Sequence, residues 1–111
     1  MFKNFVDIEL DKPRRLLIDF NAMCSFEEAT GKAFLEFSDS MTAGTAPMKD
    51  IRALLWACLI HEDKSLSIEK VGELFTYSTV QEVVMKLLEA FKANMPEKEE
   101  GDRPLEESRP D

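Results

Sequence analysis

Apolar side chains change their spacing along the chain. Over the first twenty residues the period is two. Val6, Ile8 and Leu10 alternate with Asp7 and Glu9, then Leu16, Ile18 and Phe20 alternate with Arg15 and Asp19 on the other side. This is the pattern of half-buried strands. Asp11-Lys12-Pro13-Arg14 between them supplies turn residues, so a hairpin is predicted over 2–20. One hairpin is marginal in water. Its apolar face needs helices to pack on, or strands of another chain.

From Asn21 the spacing becomes helical. Asn21 is placed to cap a first helix that ends at Gly31, with Phe20 and Cys24 in contact across its start; Ser25 with Glu28 forms a rival capping box. A short second helix over 32–40 presents Phe34 and Phe37. The small-residue stretch "MTAGTAP" is read as a loop closed by Pro47, which suits a first helical turn. A third helix is predicted from Met48 to His61. Ser67 then caps a short helix carrying Ile68, Val71, Gly72 and Phe75. Ser78 with Gln81 offers a capping box for a last helix over 79–95, ended by Pro96.

The third helix is the unusual one. Ile51, Leu54, Leu55, Cys58 and Leu59 make the stripe that a core-facing helix needs. Ala53, Trp56, Ala57 and Ile60 lie roughly opposite, and the run "ALLWACLI" contains no charge. A helix with two apolar sides is the hub of its domain. Its second side is closed either by the hairpin and the last helix or, in part, by another chain, since contiguous exposed apolar surface marks interfaces.

Composition adds boundaries. The chain has 111 residues and a formal net charge of -8, and its last sixteen residues hold seven acids and three bases. That segment is nearly free of apolar side chains and is expected to be disordered. The predicted fold is α+β, mainly α. An N-terminal β-hairpin packs on a bundle of four to five short helices in a single domain over 1–95, and a disordered acidic tail follows over 96–111. An acidic chain has no general attraction for phosphate backbones, and Lys12, Arg14 and Arg15 are read as decorating the hairpin, so no nucleic-acid partner is expected. The longest apolar run falls far short of the roughly 20 residues that span a bilayer, and no secretory leader is recognised. Cys24 and Cys58 lack metal-site or redox spacing and read as small hydrophobes in a reducing compartment.

Reactive chemistry is sparse. His61 is the single histidine. With Glu62 and Asp63 it offers three possible metal ligands, but neighbours at a helix end point apart, whereas zinc ligands come as spaced pairs. Its expected role is to meet the last carbonyls of its own helix. Glu27-Glu28 and Glu99-Glu100 read as solvated charge, and the glycines form no phosphate-binding fingerprint. The expectation is a chain that is not an enzyme, with no catalytic residue, metal or cofactor.

Two segments carry a resemblance. "VDIELDKPRRLLIDFNAMCSFEEATGKAFLE" and "MKDIRALLWACLIHEDKSLSIEKVGELF" resemble the small tail assembly chaperones of long-tailed bacteriophages, and related tail proteins of prophages and gene transfer agents. The shared pattern is an alternating strand with a basic turn, D-F-N-A opening a helix that ends E-x-T-G-K, then D-[IL]-R-A-L-L-W-A, an H-E-D segment and S-[IL]-E-x-V-G-E-L. It spans about residues 6–95. This chain departs from it in a longer, Gly/Ala-rich loop before the third helix and in Met48, where a small residue is common.

The resemblance implies a non-enzymatic role in tail morphogenesis. Such proteins keep the tape-measure protein soluble, recruit tail-tube subunits, self-associate, work in the host bacterial cytoplasm and are absent from the mature virion. In many phages a longer form arises by frameshifting. Carried onto this chain, the protein-binding candidates are Phe34, Phe37, Met41, Trp56 and Ile60. Two other readings compete: a structural tail component retained in the particle, and an unrelated acidic adaptor or regulatory module.

Overall fold

The structure is a computed structural model and describes residues 5–94. Strands β1 (Val6–Glu9) and β2 (Pro13–Leu16) pair antiparallel, Val6 facing Leu16 and Ile8 facing Arg14. Five helices follow: α1 (Phe20–Thr30), α2 (Phe34–Ala43), α3 (Met48–Leu59), α4 (Ile68–Gly72) and α5 (Val80–Asn94), with a 3-10 turn at Tyr77–Thr79 leading into α5. A mainly helical protein with an N-terminal hairpin is what the sequence predicts. The tail over 96–111 and the terminating role of Pro96 lie outside the described residues.

The strand alternation holds through Leu16 and then breaks. Leu16, Leu17 and Ile18 are all buried, because the chain leaves the sheet and crosses α3, where the Leu17 N–H donates to the Cys58 carbonyl at 3.2 Å. Phe20, expected on the inner face of a strand, opens α1 instead and is 76% exposed. The helix cap is therefore Asp19 rather than Asn21; its carboxylate accepts from the Ala22 N–H at 2.9 Å.

Both helices that follow end on a left-handed glycine. Gly31 has φ 72° and donates to the Glu27 carbonyl; Gly44 has φ 79° and donates to Met41. Only a residue without Cβ takes this conformation freely. Gly44 thus terminates α2, which absorbs Met41, Thr42 and Ala43 from the stretch expected as loop. The start of α2 lacks a capping side chain of its own, since Ala33 stands at the cap. Glu27 supplies the acceptor from α1, its Oε2 taking the Phe34 N–H at 2.8 Å. Glu27 is a capping group, not the free surface charge its neighbour Glu28 suggested.

The core runs continuously from the hairpin through all five helices. Phe26 of α1 meets Phe34 edge-on, with ring centroids 5.9 Å apart, and Phe37 at 4.7 Å; Phe34 also meets Phe91 of α5 at 5.5 Å. α3 is the hub. It touches β2, α1, α4 and α5, and Ile51, Leu54, Leu55, Cys58 and Leu59 are buried together with Ala53 and Ala57 on its second side. Each fully buried Leu or Ile contributes about 1.5–3 kcal/mol before entropy is charged against it. The chain's own elements close both sides of "ALLWACLI", leaving Trp56 and Ile60 half-buried at the margin.

Of the three cations read as decorating the hairpin, Lys12 is exposed, whereas Arg14 and Arg15 hold the hairpin to its neighbours. Arg14 occupies an inward position beside Ile8 and is buried. Its guanidinium donates in a fork to both Asp11 oxygens, at 2.7 and 2.9 Å, and reaches Asp63 at 3.6 Å. Just ahead of α2, Lys32 Nζ donates at 2.6 Å to Asp50, which is also buried. Standing in the first turn of α3, Asp50 also meets the positive end of that helix.

Candidate functional site

α5 carries a wider apolar sector than the core can cover. Val80, Val83, Leu87 and Ala90 are buried. Val84 and Leu88 sit at the edge of that stripe and Met85 beyond it, 70% exposed. Across from them the Gly44 turn and Ala46 form a low wall, and Pro47 starts α3 with Met48 turned outward, 54% exposed. Tyr77 is held in the 3-10 turn by reciprocal hydrogen bonds of 3.0 Å between the Thr76 backbone and the Thr79 hydroxyl, and its ring is 83% exposed. This capping box lies two residues before the one read from Ser78 and Gln81.

These pieces enclose an open groove of about 720 Å³ whose lining includes Met41, Met48, Tyr77, Val84, Met85 and Leu88. Five aliphatic side chains, three of them methionines, and a ring on one patch make an adaptable surface, since thioether chains repack at little cost. Ser78 and Gln81 are its polar lining, and the single histidine lines a different cleft. What the groove can do chemically is bury apolar side chains. A smaller cleft of about 360 Å³ continues from it past Met48 and Tyr77 to Lys49, Arg52 and Phe75.

A second cleft, about 640 Å³, opens where α1, the end of α3 and the loop before α4 meet. Trp56 and Ile60 line it together with Cys24 and Leu17. The Trp56 indole N–H donates to the Leu66 carbonyl at 3.0 Å, so the ring is also a brace for that loop. Cys58 is fully buried, and burial pushes its thiol far above the ordinary range, which leaves it protonated and unreactive. Both cysteines are free thiols.

The five residues singled out from sequence do not form one surface. Trp56 and Ile60 share the second cleft, and Met41 is buried at the floor of the groove. Phe34 and Phe37 belong to the aromatic core and, as folded, offer no surface to a partner. Met48, Met85 and Tyr77 take their place as exposed apolar groups. Met48 and Met85 were visible as large side chains beside the helical stripes. Tyr77 carried no such signal, because its exposure follows from the turn before α5.

The His61-Glu62-Asp63 segment fastens the hairpin. His61 Nε2 lies 2.9 Å from the Arg15 carbonyl oxygen rather than meeting carbonyls of its own helix. Glu62 pairs with the Arg15 side chain, and that hydrogen bond holds its carboxyl below the usual range. Asp63 is lowered as well, first by Ser65 and then by Arg14. Among the described residues no three histidine, cysteine or acidic side chains gather where they could hold a metal ion. No helix there is long and apolar enough to cross a membrane.

No protein-family model, no curated protein and no solved structure matches the chain.

Proposed function

We propose that this protein is a non-enzymatic tail assembly chaperone, which shields apolar helical stretches of a tape-measure protein in the host bacterial cytoplasm and leaves before the virion is complete. The sequence pattern from the hairpin to α4 supports the family, and one structural observation carries the mechanism: of the exposed large apolar groups, Met48, Tyr77 and Met85 gather around one apolar groove. Burying three such side chains yields several kcal/mol, at roughly 1.5–3 kcal/mol each. The rigid-body cost of association takes back much of this. The result is a grip that holds a client and still lets it go, as a holdase requires. The net charge of -8 keeps such a greasy complex dispersed.

Tail-tube subunits and further copies of the chain are the other partners this reading assigns, on surfaces apart from the groove. The test is co-expression with fragments of a tape-measure protein, comparing the wild type with a Tyr77→Ser, Met85→Asp double variant. The wild type is expected to raise the soluble fraction of the fragments and the variant to lose that effect at an unchanged melting temperature. Equal rescue by both contradicts the reading.

A further inference from the structure

The small cleft at the end of the groove holds two cations without acids. Lys49 is exposed at the start of α3, Arg52 lies one turn on, and both line the cleft beside Tyr77. Neither side chain forms a hydrogen bond or ion pair among the described residues, although the chain has 22 acidic residues against 14 basic ones. Arg14, Arg15 and Lys32 all have carboxylate partners. The acid next to Lys49 in sequence, Asp50, is buried and committed to Lys32.

Arg52 is the more telling of the two. Its Nε is buried with no acceptor. The stem runs close against Gly72, where an added Cβ would stand 3.0 Å from Cδ. A buried donor without an acceptor is a standing cost, removed when the side chain swings to a carboxylate, which a guanidinium can grip with two parallel hydrogen bonds.

The groove next to it is walled by α5, with Gln81, Met85 and Leu88 in line over two turns, and no strand edge lines it. A partner fits here by laying down the apolar face of a helix, with anchors spaced i, i+3 or i+4, and i+7. Resting on the groove as the docking surface, we infer that its occupant is an amphipathic helix of another protein bearing an Asp or Glu at the end that reaches Lys49 and Arg52. The apolar face supplies the grip. The carboxylate fixes direction, because the helix laid in reverse leaves both cations unpaired and its own acid over the apolar end of the groove.

The test uses two fluorescein-labelled synthetic helical peptides with the same Leu/Met face, differing by Glu or Gln at one end, titrated by anisotropy into the full chain. The Glu peptide is expected to bind on the order of tenfold more tightly. That advantage disappears in Lys49→Gln, an exposed change that leaves the core intact, and in Arg52→Gln. In Lys49→Glu the preference passes to a third peptide ending in Lys. Equal affinity of the Glu and Gln peptides for the wild type overturns the inference and leaves the groove standing. Binding of neither peptide overturns the groove reading with it.

Discussion

His61 donates from Nε2 to the main-chain oxygen of Arg15, 2.9 Å away, and so ties the loop after α3 to β2. A carbonyl only accepts, which places the ring proton on Nε2. The same pair of residues is locked from outside. Phe5 stacks on the imidazole with centroids 5.4 Å apart, and the Arg15 guanidinium lies 4.3 Å over the Phe5 ring while bonded to Glu62. The H-E-D segment and the basic turn, far apart in sequence, are two halves of one clamp.

The clamp has an acid limit. Glu62, Asp63 and Asp11 all sit below their ordinary values in the folded chain, held by Arg15, Ser65 and Arg14 first in turn. A carboxylate with a depressed folded value stabilises the fold above its unfolded pKa, about 4, and loses that contribution as pH falls through the folded value. Thermal melts of wild type and Arg15→Gln should differ by at most about 1 kcal/mol at neutral pH, because both partners of Glu62 and Arg15 are part-exposed. The gap should narrow as pH falls through the folded value of Glu62, leaving only what Arg15 contributes by lying over Phe5. A gap that does not depend on pH would mean that Arg15 acts through packing alone.

Phe34→Ala should cost about 3–5 kcal/mol in chemical denaturation, since it empties a site touched by rings of both α1 and α5. Met85→Ser, on the open wall of the groove, should change stability by no more than about 0.5 kcal/mol. If the two costs came out reversed, the division between core and groove drawn above would be wrong.

Much of this was legible in the chain, because period and turn chemistry are local. The alternation of Val6 and Ile8, the stop at Gly31, the cap at Ser67 and the double-sided α3 all follow from neighbours in sequence. What was not legible depends on residues distant in the chain. Leu17 breaks the strand only because the Cys58 carbonyl lies under it, and Asp19 becomes the cap as a consequence. Trp56 and Phe34 look equally available on a helical wheel. Only the packing of α1 and α5 buries one and leaves the other at a margin. The groove was hidden because its Tyr77 owes its exposure to the 3-10 turn that Thr76 and Thr79 close against α5.

Gly44→Ala should destabilise by about 1–2 kcal/mol, and Gly31→Ala by a similar amount, in the same denaturation assay. Nothing lies within 4 Å of a Cβ added at either, so the cost is backbone strain at φ 79° and 72°. Loss of less than a few tenths at both would show that neither turn needs its left-handed residue.

Lys32→Ala leaves the carboxylate of Asp50, 2% exposed, without its partner. The expected cost is about 2 kcal/mol, below that of a fully buried pair because Lys32 itself is 44% exposed. Adding Asp50→Ala to it should cost less than the two single changes summed, and the double-mutant cycle measures that coupling. Strict additivity would separate the two side chains energetically.

The most direct test of the groove is NMR on a chain labelled at its methionine methyl groups and uniformly with nitrogen-15, titrated with a soluble tape-measure fragment. The resonances of Met48 and Met85 are predicted to shift or broaden at sub-stoichiometric fragment, with the Trp56 indole N–H in the other cleft unmoved. Perturbation at the Trp56 indole with Met48 and Met85 left in place would contradict the account and transfer the binding surface to the other cleft.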